Sequence, residues 1–468
     1  MSPNTLAATN TNSNPGSLWP WLKSFLLVGE PRWRFNAVCG YLCILSFATG
    51  VMLMGVTKLS GVFYMLAMVL GIPILLLEVD WSRMRVGRNV LIFAACFLAM
   101  IGLYAGHLFL GNGKLSNFDT IIRVGAGLLN GLFFFAVFRY RRAPLFGFVI
   151  LLALLNTALL SAFALFDGLS GNALESIRGR VGGSGNAIAY SELLATSFGI
   201  CVIYFAGRIG RKLEWRRLLV LAAFFLVGVF AVLMTGTRGT LFALPPLLVL
   251  AALALRIRHA VPLSIAAFVL VAGFAMVVSP NIQKRSLETV TDITGLVGNE
   301  DGGSAMSLSS RMRFRLWTAS IELSGDNLLL GRGQGMFQES LRQMEPPPPE
   351  AEKLYVFNQA HNQFLNFLVE TGLVGLILFL GMLIVPMAAG IYTLRRTPHR
   401  ERGLIMIWVP VSYGIYGLTQ AFFSHGVTSL QFGIYAGMLL WAAPDPKMLA
   451  IWPRRGFRSA VAAHRSSL

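Results

Sequence analysis

The chain has 468 residues, 55% of them hydrophobic and only 13% charged. Soluble domains carry about 25% charged residues, so this composition excludes an ordinary water-soluble globule. The net charge is +18, but the cations sit where membrane topology wants them, which removes nucleic acid as the reason for them.

Residues 1–16 are polar, with neither a basic n-region nor an apolar h-region, and predict no cleavable signal peptide. Trp19, Trp21 and Phe25 around Lys23 predict an interfacial segment ahead of the first span. A membrane span needs about 20 mostly apolar residues. Runs of that kind occur near 35–55, 59–78, 89–110, 117–138, 144–166, 185–206, 217–235, 239–256, 260–279, 363–392, 403–424 and 427–444. The expected fold is therefore an all-α polytopic membrane protein of about twelve spans. The seventh and eighth runs nearly merge, parted only by a tight turn at Thr235-Gly236-Thr237-Arg238-Gly239-Thr240. Cys39, Cys43, Cys96 and Cys201 lie in apolar runs without metal-ligand spacing and read as small core residues.

With the N-terminus inside, every inside segment is basic, including Arg83, Arg85 and Arg88, the cluster from Arg208 to Arg217, and the tail from Lys447 to Arg465. That asymmetry places both termini in the cytoplasm. The domain division follows: 1–34 cytoplasmic N-terminus and interfacial segment, 35–279 spans one to nine, 280–361 an outside loop, 362–444 spans ten to twelve, 445–468 a basic cytoplasmic tail.

The segment 280–361 is too polar to span and too long for a simple connector. Ser309-Ser310 can cap a helix beginning near Arg311, with Leu316, Trp317, Ile321 and Leu323 as its buried positions. Gly331-Arg332-Gly333-Gln334-Gly335 reads as a turn rather than a nucleotide fingerprint, because no strand precedes it. A short helix follows from about Met336, ended by Pro346–Pro349.

Arginines on the outside run against the positive-inside bias and call for a reason. Arg178 and Arg180 precede span six, Arg238 sits in the tight turn, and Arg311, Arg313 and Arg315 open the loop helix. Guanidinium groups converging at a membrane surface would suit the oxygens of a lipid-linked diphosphate. The plainer alternatives are headgroup contact or ion pairs with Asp326 and Glu339. Arg313 shares a helix face with Trp317; Arg315 faces elsewhere. His361 stands where the loop re-enters the membrane, followed by Asn362. A helix N-terminus favours neutral imidazole, the form a general base needs. The other outside histidines, His107 and His425, lack comparable sequence surroundings, and His425 is the better spare. Glu192 and Glu370 are intramembrane carboxylates, a type usually paired or functional. Glu370 lies nine residues beyond His361, about 13 Å along a regular helix and on its opposite face, so it is expected to be structural. No metal site is expected, since the outside acids are scattered.

The stretch His361-Asn362-Gln363-Phe364-Leu365-Asn366-Phe367-Leu368-Val369-Glu370-Thr371-Gly372-Leu373-Val374-Gly375 resembles the HNxFLxxLxExGLxG pattern of the O-antigen ligase (WaaL) family, within the Wzy-C superfamily. Thr237 to Leu241 resembles its SRGAxL turn. Arg313 to Trp317, with Leu330 to Phe337, resembles its RxxxW…LGxGxGxF run. Arg180 to Asn186 resembles an upstream Arg-Gly-Asn region, departing from it at Ala187-Ile188. The resemblance implies a GT-C-like glycosyltransferase of the bacterial inner membrane with a periplasmic active site, working without metal, cofactor or nucleotide. Its donor would be polysaccharide on undecaprenyl diphosphate and its acceptor a sugar hydroxyl of lipid A–core. His361 would be the base, with Arg238, Arg313, Arg180 and Arg311 on the diphosphate. O-antigen polymerase and protein O-oligosaccharyltransferase share the superfamily and stay open as readings. A flippase for lipid-linked sugars would need polar residues through both leaflets, whereas the notable ones here gather on one side.

Overall fold

The apolar runs of the chain become a helical bundle. A computed structural model describes residues 34–77, 85–114, 118–138, 141–169, 186–209, 214–257, 307–444 and 448–450, with isolated positions between 262 and 273. The N-terminal interfacial segment, most of the ninth run, residues 280–306 and both Arg178 and Arg180 lie outside the described residues.

In chain order the helices are α1 (Arg34–Met52), α2 (Ser60–Leu77), α3 (Arg88–Phe109), α4 (Phe118–Val137), α5 (Arg142–Leu169), α6 (Ala187–Ile209) and α7 (Trp215–Met234). There follow α8 (Arg238–Leu241), α9 (Leu244–Ala254), α10 (Leu308–Gly325), α11 (Phe337–Arg342), α12 (Ala351–Leu354), α13 (Gln363–Arg396), α14 (Arg400–Gly417) and α15 (Gly426–Ala442). Two three-residue strands, β1 (Arg85–Gly87) and β2 (Met448–Ala450), pair antiparallel, a small departure from the all-α expectation.

Among the described residues, five helices are long and apolar enough to cross a membrane: Arg88–Phe109, Arg142–Asp167, Ala187–Ile209, Trp215–Met234 and Gln363–Arg396. Four shorter apolar helices accompany them. Among the described residues, length and apolarity alone thus do not reach the dozen runs read from the sequence. The helix α15, for instance, has 17 residues. Large apolar side chains such as Val220, Met65 and Ile384 face outward, as lipid-facing positions do, while α6, α14 and α15 are buried along most of their length. The cysteines are free, and all but Cys96 are fully buried.

Close backbone approach joins α4 to α15. A Cβ at Gly127 would lie 1.8 Å from the Gly433 carbonyl, and one at Gly437 would lie 2.4 Å from Gly127 O. Gly131 meets Gly437 in the same way. Small residues spaced by four on both helices are the usual means of bringing membrane helices together when apolar burial gives no drive. Beside this seam, Ser197 of α6 donates to Asn156 Oδ1 of α5, Gln431 donates to Leu193 O, and Tyr413 donates to Gln431 Oε1. Buried polar groups satisfied in this way fix which helix faces meet.

Residues 307–361 fold as a small layer with its own core: Met312, Leu316, Ala319, Leu323, Phe337, Leu341, Met344, Leu354 and Ala360, closed against Val369 of α13. The cap of α10 is Ser307, whose side chain accepts from Ser310 N, ahead of the expected Ser309-Ser310. The buried stripe is Met312-Leu316-Ala319-Leu323, so Leu316 and Leu323 are inside as expected, while Ile321 is 61% exposed. Ile321 lies two residues from both Ala319 and Leu323, about 200° around the helix from each, which turns it out.

Candidate active site

His361 ends the loop layer and precedes the cap of α13. Asn362 is that cap, its Oδ1 accepting from Phe364 N and Leu365 N. His361 itself has φ of 50°, a left-handed backbone that costs a non-glycine residue about 1–3 kcal/mol and tends to persist at functional sites. From that backbone the imidazole reaches the segment joining α14 to α15. There His361 Nδ1 lies 2.5 Å from Gln420 Oε1, and the ring meets Phe357 edge-on at 5.2 Å. Burial lowers the imidazole's pKa; the Gln420 hydrogen bond opposes this, and the positive charge of Arg313 adds to it. The net effect favours the neutral imidazole.

The sequence named His425 only as the better spare histidine and did not single out Gln420. Gln420 Nε2 lies 2.6 Å from His425 Nε2, and Asn186 Nδ2 lies 3.4 Å from the same nitrogen. Burial, then the neighbouring His361, push the His425 pKa down to about 4. Gly426 follows, where a Cβ would lie 1.7 Å from Arg123 Nη1, so the Arg123 guanidinium of α4 rests on the backbone next to His425. The same connecting segment is pinned to the start of α13: Phe423 N donates to Gln363 Oε1, and Asn362 Nδ2 donates to Leu418 O. The available signal was a run of polar residues, Thr419-Gln420 and His425, at the same expected end of the bundle as His361.

The tight turn between α7 and α8 forms as expected. Thr235 and Gly236 make the turn, Gly236 with φ of 59°, and Arg238 opens α8. The turn is fixed by Ser191 Oγ and Thr240 Oγ1 at 2.6 Å and by Thr237 Oγ1 donating to Ala187 O. A Cβ at Gly239 would lie 2.1 Å from Thr419 Oγ1, so the Arg238 backbone adjoins the segment that carries Gln420. The Arg238 side chain is outside the described residues.

The three arginines of α10 divide between two directions. Arg313 acts electrostatically on His361. Arg311 Nε and Arg315 Nε lie 3.7 and 3.6 Å from Glu350 Oε2, and Lys353 Nζ lies 3.3 Å from Glu350 Oε1. Burial raises the Glu350 pKa, but the Lys353 hydrogen bond and the two arginine charges outweigh it and hold the carboxyl below its ordinary range. The expected loop acids are placed differently: the acid beside Arg311 is Glu350, and Asp326 pairs with Arg332.

The glycine-rich turn docks on a break in α13. Gly372 has φ of 65° and ψ of −164° within the helix. Leu373 N and Val374 N, released by the break, donate to Leu328 O and Leu329 O, while Arg332 N and Gly333 N donate to Val369 O and Glu370 O. A Cβ at Gly331 would lie 2.5 Å from the Glu370 carbonyl carbon, and one at Gly333 1.5 Å from Asn112 O. These glycines serve close backbone approach and positive φ. The buried Glu370 carboxyl takes hydrogen bonds from the backbone at Gly335 and Phe337 and from Asn366, so it ties the turn to α13 as a structural group. Glu192 is buried in α6 with Oε2 unpartnered among the described residues.

The structure therefore gathers His361, Gln420, His425, Asn186, the Arg238 turn and the charge of Arg313 at one end of the bundle, and turns Arg311 toward Glu350. No curated protein matches the chain. Residues 222–380, which include Arg238, Arg313 and His361 but neither Gln420 nor His425, match the family model Wzy_C, described as O-Antigen ligase, and over that segment the chain is similar to that family.

Proposed function

We propose that this protein is an O-antigen ligase of the bacterial inner membrane that moves polysaccharide from undecaprenyl diphosphate to a sugar hydroxyl of lipid A–core on the periplasmic face. The observation that carries the reading is the placement of His361: bonded through Nδ1 to Gln420, with burial and the positive charge of Arg313 lowering its pKa. In the step, His361 Nε2 takes the acceptor hydroxyl's proton as that oxygen bonds to the anomeric carbon. The bond from that carbon to the phosphate oxygen breaks, and the diphosphate leaves with the electron pair. Arg313, Arg238 and Arg180 stabilise the departing anion, as fixed cations do where charge develops. Arg311, held at Glu350, takes no part in that set. The bond energy of the donor drives transfer, so neither nucleotide nor metal is required.

Direct displacement inverts the anomeric centre. NMR of the new linkage should show inversion, and a retained configuration would overturn the mechanism. His361→Ala should abolish transfer while leaving expression and folding intact.

A further inference from the structure

We propose that Gln420 is a positioning residue for His361, holding it as the Nδ1–H tautomer with Nε2 free, and that a directed hydrogen-bond chain beginning at the backbone of Ile188 sets the sense in which Gln420 does so. The proposal rests on the reading of His361 as the base.

The direction follows from donor and acceptor chemistry alone. A backbone N–H can only donate, an amide oxygen only accept and an amide nitrogen only donate. Ile188 N lies 2.9 Å from Asn186 Oδ1, so the Asn186 amide has its oxygen toward Ile188 and its NH2 toward His425 Nε2, 3.4 Å away. That nitrogen is therefore an acceptor. Gln420 must then offer its NH2 to His425, at 2.6 Å, and its oxygen to His361 Nδ1, at 2.5 Å. His361 Nδ1 is left as the donor, and the ring's lone pair is on Nε2. Flipping the Gln420 amide would set two acceptors facing each other at His425. It would also put the proton of His361 on the nitrogen that has to receive one. As Nε2 gains the acceptor's proton, the Gln420 oxygen faces the growing imidazolium charge, the role an orienting group plays behind a catalytic base.

Two variants separate this role from packing. Gln420→Leu keeps the volume and removes both functions; kcat should fall about 100-fold with KM little changed. Gln420→Glu keeps an oxygen for Nδ1–H and should stay within about tenfold of the native rate. Nitrogen-15 NMR of histidine-labelled protein, with His361 assigned by difference from His361→Asn, should show protonated Nδ1 and unprotonated Nε2. Asn186→Asp, which offers His425 Nε2 an acceptor in place of a donor, should reverse the His361 tautomer and lower kcat at a distance. A native spectrum with Nε2 protonated, or a native kcat in Gln420→Leu, overturns the proposal. Full transfer by His361→Ala with the tautomer as stated would sink the base assignment and leave the hydrogen-bond chain standing.

Discussion

His361 Nδ1 lies 2.5 Å from Gln420 Oε1, although 59 residues separate the two in the chain. The contact brings the loop layer's last residue to the connection between α14 and α15, and it gives the imidazole a fixed direction. General bases contribute typically 10²–10⁴-fold to rate. His361→Ala should therefore lose at least about 100-fold in transfer, with unchanged elution on gel filtration in detergent.

The arginines of α10 should differ in kind. Arg313 acts on His361, whereas Arg311 and Arg315 face Glu350. Arg313→Ala should lower transfer by about tenfold or more, the scale of one lost charge-assisted contact. Arg311→Ala and Arg315→Ala should leave transfer close to native and lower thermal stability slightly. Equal losses of activity in all three would contradict the division. Arg238→Lys should rescue Arg238→Ala poorly if the diphosphate is held by a bidentate fork.

The pH dependence has a defined sign. His361 must be unprotonated to act, and burial and Arg313 lower its pKa below the ordinary 6.5. The acid limb of the rate profile should thus lie below that value. Arg313→Ala removes a lowering charge and should move the limb to higher pH; the other charged or titratable groups at the site, His425 and Arg123, are unchanged by it. Stability has its own window. His425 is lowered to about 4 by burial and by His361, so below the unfolded value of 6.5 the unfolded chain binds the extra proton. Its contribution is whole above 6.5 and declines as pH falls toward 4. His425→Gln should flatten the fall in melting temperature across that interval.

Gly372 and Gly331 should not tolerate side chains. Gly372→Ala sets a Cβ 2.3 Å from Leu329 O at a φ of 65°, a strain of about 1–3 kcal/mol before any clash. A lowered melting temperature with reduced transfer is expected. Gly127→Val and Gly433→Val, which would part α4 from α15, should reduce the yield of monodisperse protein.

Much of this architecture could be read along the chain, and the exceptions have physical reasons. The tight turn at Thr235–Thr240 is marked by polarity and glycine between two apolar runs, and it forms where expected. The site residue His361 is marked by its place at the loop's re-entry. The break at Gly372 is hidden, because the apolar pattern of α13 runs through it and the cause is the docking of Leu328–Gly333 from elsewhere. Gln420 is hidden for the same reason, and His425, legible only as a spare histidine, gains its neighbours from the fold that brings both to His361. Arg311 read like Arg313 until Glu350, on a distant turn, decided which way it faces.

The central claim is tested most directly by mixing the purified protein with undecaprenyl-diphosphate-linked polysaccharide and lipid A–core, without ATP and with EDTA present. The account predicts capped lipopolysaccharide from the native protein and none from His361→Ala. Longer lipid-linked chains with no capped product would contradict it and point to a polymerase.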